Sequence, residues 1–236
     1  MLARRLRGTV RLLLAAPARA LVSVGIGPNA VTVAGTLGVV VSAFVFWPAG
    51  RLELGAWLIF GFAMFDSLDG TVARLSGKST LWGSFLDSTL DRVADASIFG
   101  ALAVYFHLQG DTLGLVLAVA VVGAGALVPY ARAKAESVGV VAYNGIAERG
   151  DRLAVGIFAT WSTQALGVPV VVLHVVLGLL LAASLVTTVQ RGARVHRAVG
   201  RSPVPADPAL PGPALPGPAF PGPGLPDPAP ADPAGR

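Results

Sequence analysis

Polar and apolar positions along this chain alternate in long blocks rather than residue by residue. Apolar stretches of membrane-spanning length occupy 30–48, 53–75, 82–107, 112–135, 151–168 and 169–190. Each predicts a helix, because a segment crossing hydrocarbon must satisfy its backbone hydrogen bonds internally. The fifth stretch is short, and Gly167 and Pro169 mark its division from the sixth. Merging the two would leave five spans and put the C-terminus outside. Positive charge decides between the counts. Arg4, Arg5, Arg7, Arg11 and Arg19 precede the first stretch, and Arg74 and Lys78 lie between the second and third. Arg132, Lys134, Arg149 and Arg152 flank the link between the fourth and fifth, and Arg191, Arg194, Arg197 and Arg201 follow the sixth. With six spans all of these share one side, opposite Arg51, and the positive-inside rule makes that side cytoplasmic. The expectation is an all-α integral membrane protein of six transmembrane helices, multi-pass in the plasma membrane, with both termini inside.

The two ends read differently from the middle. In residues 1–24, Leu2, Leu6, Val10 and Leu13 share a face when plotted at about 100° per residue, with Arg4 and Arg11 opposite. The apolar run is too short for a signal peptide, and Pro17 ends or kinks the helix. This is the pattern of an interfacial amphipathic helix on an anionic leaflet. Residues 25–200 form the membrane domain. Residues 201–236 carry thirteen of the eighteen prolines, which forbids a packed element and predicts a disordered, partly polyproline-like tail.

Composition agrees with the pattern. The chain is 54% hydrophobic and 13% charged, with mean hydropathy +0.69, which is membrane composition. It has no cysteine, hence no disulfide framework and no thiol chemistry. The pI near 10.4 comes from the basic belt; a nucleic-acid function has no folded soluble module to carry it.

Against this background four aspartates stand out. Asp66 and Asp69 close the second stretch, and Asp87 and Asp91 open the third. A carboxylate at that depth costs about 2.5–3.5 kcal/mol on insertion scales. Spacings of three and four put each pair on one helix face. The link through Ser76, Gly77, Lys78 and Ser79 predicts an antiparallel turn that sets the pairs facing each other. Four oxygen donors then call for a divalent cation, magnesium or manganese, of the kind that also binds phosphates. Intramembrane carboxylates also mark ion paths, so a divalent-cation transporter is the alternative from another class. No inverted repeat or broken helix of that class is visible.

The segment Asp66 to Asp91 fits D-x2-D-G-x2-A-R-x8-G-x3-D-x3-D and resembles the signature of the CDP-alcohol phosphatidyltransferases. The resemblance implies a six-helix membrane enzyme, usually a homodimer, that moves a phosphatidyl group from CDP-diacylglycerol to an alcohol. It implies two metal ions, Asp66, Asp69 and Asp87 holding the first, Asp66, Asp87 and Asp91 the second, and Asp91 the catalytic base. It also implies a nucleotide edge. Pro28, Asn29 and Thr32 match the family's P-[ND]-x-x-T element, so Pro28, Asn29, Ala30, Val31 and Thr32 are expected there, with Gly70, Arg74 and Thr80. Taken alone, Pro28 and Asn29 are equally ordinary helix-start residues.

The acceptor side is read from Tyr130-Ala131-Arg132-Ala133-Lys134-Ala135-Glu136 and Glu148-Arg149-Gly150-Asp151-Arg152. These resemble the actinobacterial phosphatidylinositol phosphate synthases, although Gly150 stands where that group has proline. The resemblance implies inositol 1-phosphate as acceptor, held by Arg132, Lys134, Arg149, Arg152 and Arg191. Glycerol 3-phosphate, as in phosphatidylglycerophosphate synthase, is the alternative. Arg152 opens a span without a secure carboxylate partner in sequence, which fits a phosphate ligand. Asp95 has three available roles: support of the metal cluster, a pair with Arg92, or contact with a second subunit. His107 and His174 have no partner at ligand spacing and are read as structural. Gly25-Ile-Gly27-Pro28-Asn29-Ala30 and Gly77-Lys78-Ser79-Thr80 imitate nucleotide loops without the required strand or spacing.

Overall fold

A computed structural model of the protein describes residues 17–77, 80–141 and 149–199, without the side chains of Phe65, Asp66, Ser67 and Asp69. Residues 1–16, the 142–148 link and the proline-rich tail lie outside it. The described residues are all helix, turn or connecting coil, with no strand among them.

Helical residues 17–23 lead into six helices. These are α1 (Pro28–Phe46), α2 (Leu52–Ser76), α3 (Leu81–Leu108), α4 (Thr112–Ser137), α5 (Arg149–Ala165) and α6 (Val170–Val199). The bounds follow local chemistry. Pro28 sits at the first turn of α1, where a missing amide costs nothing. Gly77 ends α2 at φ 66°, the left-handed cap that favours glycine, so the phosphate-loop imitation there is a helix stop. Thr80 caps α3 by accepting the Gly83 N–H at 2.9 Å, and Asp111 caps α4 by accepting the Gly114 N–H at 2.9 Å.

Among the described residues three helices are long and apolar enough to cross a bilayer by composition, namely α1, α4 and α6, and Leu52–Met64 of α2 is a shorter apolar helix. α3 carries Asp87, Asp91, Arg92 and Asp95, and α5 has 17 residues, about 25 Å at 1.5 Å per residue.

Among the described residues the packed helix pairs are α1–α2, α2–α5, α5–α6, α6–α4, α4–α3 and α3–α1. They close a ring in the order 1-2-5-6-4-3. α2 and α3 both pack on α1; the expected facing of Asp66 and Asp69 toward Asp87 and Asp91 involves side chains outside the described residues. Tight contacts come from aromatic rings laid over glycines of a neighbouring helix. A Cβ on Gly55 would meet Trp47 Cδ1 at 2.5 Å, and one on Gly156 would meet Phe99 Cε1 at 3.0 Å. Close approach at small residues is how helices associate where lipid removes the hydrophobic drive.

The core lies toward the end of the ring away from the aspartates, with Trp47, Ile59, Phe99, Phe106, Leu173 and Leu177 fully buried. Polar side chains tie the turns at that end. Gln164 of α5 accepts the Glu53 N–H at 2.7 Å and donates to the Gly50 carbonyl at 3.0 Å. His174 of α6 meets Asp111 at 2.6 Å. His174 thus has a carboxylate partner that sequence spacing did not reveal, and the pair joins α6 to the start of α4. A smaller cluster of Ala18, Val31, Leu68 and Val72 seats the 17–23 segment against α1 and α2.

Candidate active site

The six helices alternate in direction, so α1, α3 and α5 begin, and α2, α4 and α6 end, at one end of the ring. Every site residue predicted from sequence belongs to that end. Asp66 and Asp69 lie in the last three turns of α2, with side chains outside the description. Asp87 and Asp91 stand one turn apart on α3, both partly buried. Among the described residues no three carboxylates or histidines cluster at metal-ligand distance, a set that excludes Asp66 and Asp69. The donors at this edge are all carboxylate oxygens, which suits a hard divalent cation.

On the nucleotide side, Asn29 and Thr80 converge on Gly83. A Cβ there would meet Asn29 Oδ1 at 3.0 Å and Thr80 Oγ1 at 3.2 Å. Among the described residues nothing lies within 4 Å of the Cβ position at Gly70. Arg74 donates to Thr71 Oγ1 at 3.2 Å. The Thr32 hydroxyl donates back to the Pro28 carbonyl at 3.1 Å. Ala30 is exposed, whereas Val31 is buried against Leu68 and Val72, so its side chain packs α1 on α2.

The basic residues divide into two groups. Arg132 pairs with Glu136 one turn on, at 2.9 Å and half exposed, and Lys134 is exposed. Deeper in the ring, Arg149 Nη1 bonds Asp91 Oδ1 at 2.8 Å while its Nε bonds Asp95 Oδ1 at 3.0 Å. Arg152 Nη2 bonds Asp95 Oδ2 at 2.5 Å. Arg191 is buried and donates to the Val128 carbonyl of α4. The expectation that Arg152 lacks a carboxylate is thereby corrected. It is 2% exposed, and an arginine at that depth must be paired. Asp95 answers to Arg149 and Arg152 on α5, not to Arg92 on its own helix. That link spans 57 residues, and local spacing carries no signal for it.

Carboxylates of α3 thus meet guanidinium groups of α5, at the end of the ring where α2 also carries Asp66 and Asp69. The sequence profile of the CDP-alcohol phosphatidyltransferases matches residues 26–193, from just before α1 into α6, and the chain belongs to that family. The chain is 41% identical over 180 residues to phosphatidylinositol phosphate synthase of Streptomyces avermitilis, covering 73% of each. It is 43% identical over 188 residues to the Cutibacterium acnes phosphatidylinositol phosphate synthase, covering 77% of this chain and 91% of that one. The Mycobacterium tuberculosis phosphatidylinositol phosphate synthase, crystallised with CDP-DAG bound, aligns at TM-score 0.74 and 32% identity, covering 81% of this chain and 98% of that one. The same synthase in complex with manganese and citrate aligns at TM-score 0.72 and 33% identity, covering 77% and 88%.

Proposed function

We infer that this chain transfers the phosphatidyl group of CDP-diacylglycerol to a hydroxyl of inositol 1-phosphate, giving phosphatidylinositol phosphate and CMP. The observation that carries this is the Asp91–Arg149 pair at 2.8 Å. It supports a site in which the carboxylates serving the donor adjoin the guanidinium groups serving the acceptor's phosphate. The names of the relatives and the bound CDP-DAG of the crystallised one support the same pairing of substrates.

In this reading Asp66, Asp69, Asp87 and Asp91 hold two divalent ions, magnesium or manganese. When bound, such ions neutralise charge on the pyrophosphate and the departing CMP. Pro28, Asn29, Ala30, Val31, Thr32, Gly70, Arg74 and Thr80 seat the cytidine nucleotide, Val31 through its backbone. Arg132, Lys134, Arg149, Arg152 and Arg191 receive the acceptor phosphate, a dianion suited to guanidinium forks. Asp91 takes the proton of the attacking hydroxyl. The hydroxyl oxygen bonds the lipid-side phosphorus, and the phosphorus–oxygen bond to CMP breaks with its electron pair on CMP.

The surrounding frame has residues 1–24 on the membrane surface, residues 25–200 as six spans and residues 201–236 as a tail. The site end and both termini face the cytoplasm of the plasma membrane, and the enzyme works as a homodimer. Purified protein given CDP-diacylglycerol and inositol 1-phosphate should release CMP and a phosphoinositide in equal amounts. Chelation should stop both, and magnesium or manganese should restore them. Cation flux without CMP release would contradict the assignment.

A further inference from the structure

Asp95 lies outside the family signature and has no part in the reaction as described. It is 8% exposed, one turn beyond Asp91 on α3, and both its oxygens are engaged by α5, Oδ1 with Arg149 and Oδ2 with Arg152. The chain Asp91–Arg149–Asp95–Arg152 holds two carboxylates and two guanidinium groups, so it balances its own charge in a place where an unbalanced ion is costly. Arg152 is the deepest member, and its Nε and Nη1 meet no acceptor among the described residues. A cavity of about 40 Å³ beside it is lined by Arg92, Asp95, Phe99, Gly125 and Arg152 among others, room enough for ordered water.

Gly125 of α4 completes the enclosure. A Cβ there would lie 3.3 Å from Arg152 Cζ, 3.4 Å from Nε and 3.5 Å from Nη2. Near-equal distances to three guanidinium atoms mean that the group lies flat over the glycine. Asp95 fixes this plane from one side and α4 from the other. Arg149, with its side chain 30% exposed, is the member that opens toward the site. Because Asp95 holds it independently, Asp91 can turn to the hydroxyl without releasing the arginine.

We propose that Asp95 and Gly125 are positioning residues for the acceptor's phosphate: Asp95 aims Arg149 and Arg152 together, and Gly125 provides the slot in which Arg152 lies. The proposal rests on the reading that these arginines serve the acceptor. Pre-aimed guanidinium groups spare the ordering cost on binding, so the effect belongs in acceptor affinity and not in donor affinity.

The test is a steady-state comparison of Asp95→Asn and Gly125→Ala with wild type in the full-length enzyme, varying each substrate separately. Asp95→Asn keeps the shape and removes the charge; Gly125→Ala keeps every charge and crowds the slot. Asp95→Asn should raise the acceptor KM by about tenfold or more, and Gly125→Ala by about threefold or more, with the donor KM within about twofold. Combining Asp95→Asn with Arg152→Ala should raise acceptor KM by less than the product of the two single effects, since part of what Asp95 does is already lost with Arg152. Should Asp95→Asn fail to fold, Gly125→Ala decides by itself. Equal rises in both KM values, or an unchanged acceptor KM, overturn the proposal. Arg149→Ala and Arg152→Ala tell the two failures apart. If they raise acceptor KM while Asp95→Asn and Gly125→Ala do not, the positioning role alone falls. If they leave it unchanged, the acceptor reading falls and takes the proposal with it.

Discussion

Asp87 and Asp91 occupy successive turns of α3, and removal of the first has a specific expected consequence. Asp87→Asn, like Asp66→Asn, deletes an anionic ligand assigned to both cations. CMP release should fall by about a hundredfold or more, since metal stabilisation of a phosphoryl transition state is worth several kcal/mol. Near-wild-type release from either variant would refute the shared-ligand assignment. Away from the site, Gly55 lies under the buried Trp47 ring, which is itself fixed by an Nε1–H bond to the Leu52 carbonyl at 3.2 Å. Gly55→Ala should therefore destabilise by about 1–3 kcal/mol, as overpacking does, and a thermal melt in detergent would measure it. The aspartates were legible in the sequence because ionised groups in an apolar run are expensive and regularly spaced. The Asp95–Arg152 pair was not, because it depends on which helix stands opposite α3, and hydropathy carries no such information.

At the level of the elements, the apolar blocks located all six helices, and their ends departed from the blocks for chemical reasons. α6 runs nine residues beyond its apolar stretch, to Val199, because Arg191, Arg194 and Arg197 are good helix formers that suit the interface. In α5 (Arg149–Ala165) the first-turn Arg149 and Arg152 pair with carboxylates of α3 rather than facing lipid. The turn after α2 sets direction, whereas α1 supplies a packing surface for both α2 and α3. The start of α4 gives a pH test. Burial works to raise the Asp111 carboxyl, but hydrogen bonds from the Gly114 amide, His174 and the Leu113 amide outweigh it and hold the group below its ordinary value. A depressed folded pKa adds stability above the unfolded value of about 3.9, and that contribution is lost as pH falls through the folded one. Asp111→Asn should thus melt lower than wild type at neutral pH. The gap should begin to close below about pH 4 and vanish once the pH falls below the depressed folded value; a gap that persists there would assign the loss to packing instead.

For the whole molecule, the ring order 1-2-5-6-4-3 puts all the chemistry at one end and the buried aromatics toward the other. Side-specific labelling tests which end faces the cytoplasm. Cysteines placed at Ala49 or Gln109 should react from outside intact cells, and those at Lys78 or Val141 only after permeabilisation. External labelling at Lys78 would invert the orientation. Truncation after Arg201 should leave turnover unchanged, since the family profile ends at residue 193 and the proline-rich sequence beyond it disfavours a packed element; lost turnover in folded, truncated enzyme would give it a role in the site. Fold class and family were legible in the sequence through hydropathy and one spaced motif. The acceptor is the part least determined by local pattern, because arginines from three helices must converge on it.

The acceptor is also where the account is most directly tested. Wild-type enzyme should be assayed with CDP-diacylglycerol and magnesium against inositol 1-phosphate, glycerol 3-phosphate and free inositol, with kcat/KM measured from CMP release. Inositol 1-phosphate should exceed free inositol by about a hundredfold or more, the worth of a charge-assisted phosphate contact, and should exceed glycerol 3-phosphate clearly. Faster turnover with glycerol 3-phosphate or with free inositol would contradict the assignment.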